Sequence, residues 1–264
     1  MTLKEISSRT FANHWKRKSP HDRFPPLTRL VVLKWRQFQV ETLGGYRFRG
    51  QERDFVRRAY DGMGQDTFEV INGAQEWLNW RQIPMALRKR VPEEAALVLD
   101  LGCGPGSSTR ILAWHGMPTW RILGMDFSED LIRQARRSVE AGDFCTASGK
   151  QPIVEFVVGS VLEPFHDASG TLLADHTVDY VNSSGIVGHH LSAEGFTSLA
   201  AELRRVVKPH GFVALDSGPH LKEAVIRRTM ERFGFVLRTK VRSVPLDPRP
   251  QLVFQSAGGQ EPHA

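Results

Sequence analysis

The sequence predicts an α/β fold: a doubly wound, mostly parallel sheet of seven strands with helices on both faces. Three observations predict it. Short apolar runs alternate with helical stretches of about 10 to 15 residues from Ala95 onward, which is typical of crossover units in a parallel sheet. A glycine cluster at Gly102–Gly106 follows the first run. The last two runs have no helix between them, so we expect at least one antiparallel strand.

The first elements surround the glycine cluster. Leu97–Leu99 is an apolar run that ends at Asp100, and a helix is predicted beyond the glycines at Gly106–His115. Arg121–Asp126 has the length and composition of a second strand. The helix predicted next, at Ser128–Ala141, has its apolar residues on one face: Leu131, Ile132, Ala135 and Val139.

The later elements continue the alternation of apolar runs and helical periodicity. In chain order, the remaining strands are predicted at Ile153–Val158, Val178–Asn182, Gly211–Leu215, Phe235–Val244 and Gln251–Phe254, and the remaining helices at Ser192–Val207 and Leu221–Phe233. These elements complete a core domain at residues 95–256. Residues 257–264 are predicted to be a flexible tail.

Residues 1–94 are predicted to form a basic arm followed by a mainly helical lid, which supplies a substrate wall. Helical spacing indicates helices at Gln51–Tyr60 and at Gln65–Trp80, before Pro84 and Pro92 interrupt the pattern. Leu27–Val40 is apolar with interspersed Arg and Lys, and its periodicity fits an amphipathic helix or a strand.

Positive charge is concentrated at the start of the chain. Residues 1–60 contain 14 Lys and Arg against 5 Asp and Glu, a net charge of +9, whereas the remaining residues hold 21 against 24, a net charge of −3. Such an arm suits nucleic acid, an anionic membrane surface or an acidic partner, and a solvated leader is the plain alternative.

Composition excludes several classes of protein. With 41% hydrophobic and 24% charged residues, the chain has ordinary globular usage. No stretch reaches the roughly 18 apolar residues of a membrane span, and the first residues lack the apolar core of a secretory signal. Two cysteines form neither a disulfide framework nor a Cys-rich zinc site, so we expect a cytoplasmic protein. The sequence does not fix an oligomeric state.

The segment Val98–Gly106 carries the strongest chemical signal. A buried strand ends at Asp100, and Gly102, Gly104 and Gly106 then allow a tight turn in which a ligand can approach the main chain. Asp126 ends the second strand, where a carboxylate can bind both hydroxyls of a ribose. A nicotinamide dehydrogenase would more usually space its glycines as Gly-x-Gly-x-x-Gly.

These motifs resemble those of class I S-adenosylmethionine-dependent methyltransferases, over roughly Leu97–Phe254. The resemblance implies that the loop binds the methionine part of S-adenosylmethionine and that Asp126 holds its ribose, with S-adenosylhomocysteine as the product. The cofactor residues it implies are Asp100, Gly102, Cys103, Gly104, Gly106, Asp126 and Phe127, with Cys103 as a small packing residue and Phe127 beside the adenine.

The chain departs from the family after the third strand. The family often has Gly-Asp-Ala there, and its acid reaches the adenine amino group, but this chain has Gly159-Ser160-Val161. The Ser160 hydroxyl or the Val161 backbone is expected to replace that contact. An ordinary turn at the end of a strand is the alternative.

The fourth strand leads to the segment where methyl transfer is expected, because ligands bind beyond the carboxyl ends of parallel strands. Asn182 and Ser183 are predicted to lie near the methionine end of the cofactor. His189 or His190 can take a proton from the attacking group. The alternative is that the histidines only pack in the site or orient the attacking group. No surrounding spacing completes a metal site, so none is predicted.

Four further residues are candidates for contact with the methyl acceptor, and one for contact with the cofactor. Asp216 and His220 follow the fifth strand, where they can act as substrate ligands, as bases or as turn residues. Trp77 and Trp80 can cap the pocket, or belong to a core. Tyr60 resembles the aromatic residue that related enzymes close over the cofactor.

The function expected from the resemblance is in-line transfer of a methyl group to an O, N or C atom of a small organic molecule. A nucleic-acid or protein methyltransferase that grips with the basic arm is the first alternative. Against it, the chain lacks an Asn/Asp-Pro-Pro-aromatic signature after the fourth strand and a Pro-Cys nucleophile. A non-catalytic subunit that binds S-adenosylmethionine is the second.

Overall fold

The computed structural model describes Val31 and residues 34–39, 65–243 and 250–258. The chain divides into two compact units, residues 1–81 and 82–264, and each is described by itself. Residues 34–39 are helical. Of the two structures predicted for Leu27–Val40, a helix or a strand, these residues form the helix. The helix predicted at Gln51–Tyr60 lies outside the described residues.

Seven strands form one sheet in the order β3-β2-β1-β4-β5-β7-β6. The strands are β1 Leu97–Leu101, β2 Arg121–Asp126, β3 Ile153–Val158, β4 Val178–Ser183, β5 Val207–Asp216, β6 Phe235–Val241 and β7 Gln251–Ser256. Strands β1 to β5 pair in parallel, and β7 is antiparallel to both β5 and β6. The predicted fold class, with its antiparallel strand among the last two, is therefore confirmed.

Six helices lie between residues 65 and 232. They are α1 Gln65–Leu87, α2 Ser107–His115, α3 Glu129–Glu140, α4 Val187–His190, α5 Ala193–Val206 and α6 Glu223–Arg232. Ser128 and Ser192 cap α3 and α5, because each side chain accepts a backbone N–H from the first turn. The short helix α4 was absent from the sequence prediction.

Alternation along the strands places one apolar layer on each face of the sheet. Leu99, Val181, Val213 and Leu215 belong to a core cluster with Phe196 and Leu203 of α5 and with Ile226 and Met230 of α6. On the intervening positions, Val98, Tyr180 and Ala214 are also buried. Both faces are therefore covered, as a parallel sheet requires.

Three element boundaries differ from the prediction by about three residues or more. Helix α1 continues through Pro84 to Leu87 instead of ending at Trp80. Its last turn is held by the Arg90 guanidinium, which donates to the carbonyl oxygens of Met85 and Ala86 at 2.9 Å each. Strand β5 begins at Val207 rather than Gly211, directly after α5, and β6 ends at Val241 rather than Val244. None of the helices in the described ranges could span a membrane.

Candidate active site

The glycine loop joins β1 to α2 with three glycines in left-handed backbone conformations. Their φ angles are 68° at Gly102, 54° at Gly104 and 94° at Gly106, a region that side chains rarely adopt. The amides of Gly102 and Cys103 both donate to the Met125 carbonyl, at 2.7 and 3.1 Å. A Cβ at Gly102 would lie 1.7 Å from Ile186 Cδ1, so this glycine also permits close packing.

Asp100 is fully buried and connects three elements. Its Oδ2 accepts hydrogen bonds from the hydroxyls of Ser108 and Thr109 at 2.7 and 2.6 Å, and its Oδ1 accepts from Asn182 Nδ2 at 2.8 Å. Burial raises the carboxyl pKa, although these three donors partly offset the rise. Asp100 thus ties the start of α2 to β1 and β4. Its expected role in binding the cofactor remains a prediction.

Asp126 supports the glycine loop from β2. Its Oδ2 accepts the Gly104 amide at 2.9 Å, and its Oδ1 accepts the Ser128 amide at 3.0 Å. Burial raises the carboxyl pKa to about 6, against the effect of these amide donors. A carboxylate has about four acceptor positions, so this one can still accept a ribose hydroxyl.

Two buried polar atoms lack a hydrogen-bond partner at the carboxyl edge of the sheet. They are Ser183 Oγ, at the end of β4, and Gln251 Oε1, at the start of β7. The Gln251 amide nitrogen donates to Asn182 Oδ1 at 2.9 Å, which extends the Asp100 network across the sheet. Buried polar groups are normally paired, so these atoms fit a polar ligand bound beside the glycine loop.

The two predicted histidines lie in α4, on a turn that Asp216 holds. The Asp216 carboxylate accepts the amides of Ile186, Val187 and Gly188 at 3.2, 3.1 and 2.9 Å. The Gly188 carbonyl in turn accepts the amide of His220 at 3.0 Å. Asp216 is 8% exposed, and burial raises its pKa in spite of the amides. Its predicted contact with a substrate stays a prediction.

His189, His190, Asp216 and His220 therefore come together beyond β4 and β5. The rings of His189 and His190 lie 6.4 Å apart, tilted by 45°. His190 is an exposed residue, yet partial desolvation of its ring, followed by the charge of His189, lowers its pKa to about 4. His190 is thus neutral at physiological pH. No group of three metal-ligating side chains is found within the described ranges.

The residues predicted to surround the adenine follow β2 and β3. Ser160 is buried, and its Oγ accepts the Leu162 amide at 3.1 Å, which leaves its hydroxyl proton free for a ligand. Val161 and Phe127 are half-buried. Cys103 is buried, and a Cβ added at Gly124 would lie 3.0 Å from its Sγ. Burial raises the pKa of the Cys103 thiol. This placement agrees with a packing role for Cys103.

The aromatic candidates before the core belong to the first unit. Trp77 is fully buried, and the Arg81 guanidinium lies 4.7 Å from its ring centroid. Trp80 is half-buried. Their roles toward a substrate stay predictions, and Tyr60 lies outside the described residues.

Sequence reasoning missed Gln251, Ser108 and Thr109. The two hydroxyls directly follow the glycines, so their position at a helix start was a usable signal. No sequence signal pointed to Gln251. It reaches the ligand edge only because β7 pairs antiparallel to β5, which places Gln251 opposite Asp216.

The family comparison agrees with this geometry. Residues 98–211 match the family model described as a methyltransferase domain. These residues are similar to a methyltransferase domain. The matched region runs from β1 through the glycine loop and the histidine turn into β5.

The chain is also similar to two demethylmenaquinone methyltransferases. The protein from Symbiobacterium thermophilum is 24% identical over 72% of this chain and 67% of its own length, and that from Bacillus subtilis is 29% identical over 56% and 55%. The chain spans between 29% and 67% of the length of the first curated relatives that it matches.

A solved structure shows the same fold. Magnesium protoporphyrin IX methyltransferase from Synechocystis, with bound S-adenosylmethionine, superposes with a TM-score of 0.54 at 21% identity. The superposition covers 78% of this chain and 92% of that one. The same enzyme is also known with bound S-adenosylhomocysteine.

Proposed function

We propose that the protein transfers a methyl group from S-adenosylmethionine to an O, N or C atom of a small organic molecule. The observation that carries the proposal is the pair of buried, unpaired polar atoms, Ser183 Oγ and Gln251 Oε1, beside a glycine loop of the methyltransferase type. When bound, S-adenosylmethionine supplies a methyl group activated by a positively charged sulfur.

The chain's own residues position the reacting groups and exclude water from them. Gly102, Gly104 and Gly106 let main chain approach the methionine part of the cofactor, and Asp126 accepts the ribose hydroxyls. Ser183 and Gln251 present one hydroxyl and one carbonyl oxygen to ligand donors. Alignment of this kind contributes several kcal/mol to rate acceleration.

His189 and His190 are proposed to face the methyl acceptor. A neutral imidazole accepts a hydrogen bond from the attacking hydroxyl or amine and removes its proton during transfer, which typically contributes about 10²–10⁴-fold. The low pKa of His190 keeps it neutral. A base with so low a pKa binds a proton weakly, so His190 is better suited to orient the acceptor and His189 to remove the proton.

A small-molecule acceptor is supported by the relatives. Demethylmenaquinone methyltransferases and trans-aconitate 2-methyltransferases, such as the one from Variovorax paradoxus, are named for small molecules. The alternative acceptors, nucleic acid and protein, have no named counterpart among these relatives.

The experiment supplies methyl-labelled S-adenosylmethionine with a panel of small phenols, quinols, carboxylic acids and amines, and in parallel with RNA, DNA and protein. We expect label in a small molecule, a fall of about 10²-fold or more in His189→Gln, and no change in His166→Gln, an exposed histidine before β4. Label only in a macromolecule would contradict the proposal. Binding of S-adenosylhomocysteine without any transfer would favour a non-catalytic subunit.

We also propose that the first unit rests on an anionic membrane and thereby meets lipid-soluble acceptors. Val31, Trp35 and Phe38 recur on one side of a helical segment and are 69%, 60% and 56% exposed. Exposed aromatic residues within a stretch of net positive charge are typical of helices at membrane interfaces. The variant Trp35→Ser/Phe38→Ser should no longer float with anionic vesicles, whereas Leu172→Ser, at an equally exposed site, should. Flotation of both variants would contradict this proposal.

A further inference from the structure

A basic groove of about 500 Å³ lies on the methyltransferase core, away from the glycine loop. Arg88, Lys89, Arg90, Arg238, Phe212 and Gln255 line it. Phe212 of β5 pairs with Gln255 of β7, whereas the ligand edge lies at the other end of these strands, where Asp216 pairs with Gln251. Four residues of strand separate the two sites by roughly 13 Å.

Local backbone geometry brings the cations to this groove. Lys89 has a φ of 58°, a left-handed conformation that is uncommon for a residue with a side chain. Arg238 is the extra residue of a β-bulge in β6, between Leu237 and Thr239, and such bulges redirect side chains. Its Nε donates to Gln255 at 2.9 Å, which fixes the guanidinium beside the groove.

The cations of the groove have no acidic partner in the described part of the chain. Arg90 donates to the carbonyl oxygens of Met85, Ala86 and Arg88, which is the usual role of a basic residue at a helix end. This role does not account for Arg238, which belongs to a distant strand. Residues 61–264 carry a net charge of −3, so four cations without an acidic partner among the described residues form a local exception.

A buried hydroxyl on a residue that neighbours the lining residue Phe212 adds a second observation. Tyr180 of β4 is fully buried, pairs in register with Phe212, and has no hydrogen-bond partner for its hydroxyl. Register partners in adjacent strands project to the same face of a sheet. Burial raises the Tyr180 pKa, an effect that the charge of Arg90 partly opposes, so the hydroxyl is a neutral donor close to Arg90.

We propose that the basic groove binds a small molecule that carries two or more phosphate groups. Guanidinium groups pair with phosphate oxygens in bidentate geometry, and a groove of this volume suits a small molecule. Phe212 provides an apolar surface next to the charged groups. The site is separate from the glycine loop, and the proposal does not depend on the proposed function.

The test measures pyrophosphate binding by calorimetry, with S-adenosylhomocysteine present in excess to occupy the glycine loop. We expect the double variant Arg88→Gln/Arg238→Gln to weaken binding at least about tenfold, because it removes two guanidinium groups that would pair with phosphate oxygens. The matched control, Arg137→Gln/Arg228→Gln, removes two exposed cations elsewhere on the core and should bind as the parent does.

Three results would overturn the proposal. They are absence of pyrophosphate binding to the parent protein, equal weakening in both double variants, and equal affinity for pyrophosphate and citrate. The first would mean that the groove is not a site, the second that binding follows net charge alone, and the third that phosphate is not recognised. Because both double variants alter exposed residues, thermal unfolding should show that each remains folded.

Discussion

The carboxylate of Asp216 accepts the amide of Gly188 at 2.9 Å and so joins the end of β5 to the histidine turn after β4. Gly188 has no room for a side chain, because a Cβ there would lie 2.0 Å from the amide nitrogen of Gly218. The two residues therefore fix α4 against the loop that carries His220. Asp216 is best understood as a positioning residue for His189 and His190.

Asp216→Ala should destabilise the protein by about 2–4 kcal/mol. The substitution leaves the amides of Ile186, Val187 and Gly188 without their acceptor, and each buried unsatisfied donor costs about 1–3 kcal/mol, offset in part by removal of a buried charge. Chemical denaturation measures the change, with Asp143→Ala, a surface residue, as the control expected within about 0.5 kcal/mol. Equal stability of the two variants would refute this role.

Gly102→Ala should cost more stability than Gly149→Ala, although both positions have left-handed φ angles of 68° and 79°. At Gly149 nothing lies within 4 Å of the added Cβ, so only the backbone strain of about 1–2 kcal/mol applies. At Gly102 the Cβ collides with Ile186, which adds about 1–3 kcal/mol.

A third substitution, Ile186→Ala, separates the collision at Gly102 from the backbone strain. In that background Gly102→Ala should lose most of its extra cost, because the collision is gone while the strain remains. A penalty that does not depend on residue 186 would show that packing against Ile186 is not what requires glycine.

Some features of the site follow from local sequence, and these were predictable. The glycines at 102, 104 and 106 have the left-handed angles that their spacing indicated, and Asp126 lies at the end of β2 as expected. Both depend on residues adjacent in the chain. The alternation of strands and helices likewise needs only short-range periodicity.

Other features depend on pairings between distant segments, and these were missed. Gln251 reaches Asn182 only because β7 inserts between β5 and β6 in the antiparallel direction. Asp216 becomes a cap for α4 only when the ends of β4 and β5 are neighbours. Pro84 lies within α1 although proline usually ends a helix, and Arg90 donates to the carbonyl oxygens of the last turn.

Stability should change with pH through Asp126. Its pKa is about 6 in the folded protein against an ordinary value of 3.8, so between these values the folded state holds the proton more tightly than the unfolded state does. Protonated Asp126 therefore adds to the free energy of unfolding. This contribution, about 3 kcal/mol, is fully present below pH 3.8 and is lost as the pH rises through 6. Denaturation at pH 4 to 7 should show this slope in the parent and a smaller one in Asp126→Asn. Identical slopes would contradict the raised pKa.

His190 should not titrate near neutrality. Its pKa of about 4 predicts that the ring proton resonances of His190 stay constant from pH 5.5 to 8 in an NMR titration, with His190→Gln used for assignment. His189→Gln should raise the His190 pKa, because one repelling charge is removed. A midpoint near 6.5 for His190 in the parent protein would be inconsistent with this environment.

We infer that the glycine loop and Asp126 bind S-adenosylmethionine. Calorimetric titration with S-adenosylhomocysteine, with NAD as the control ligand and Asp126→Ala as the control variant, tests this assignment. We expect micromolar binding of S-adenosylhomocysteine, none of NAD, and a large loss of affinity in the variant. A folded protein that does not bind S-adenosylhomocysteine, or that binds it equally well without the Asp126 carboxylate, would contradict the assignment of this site.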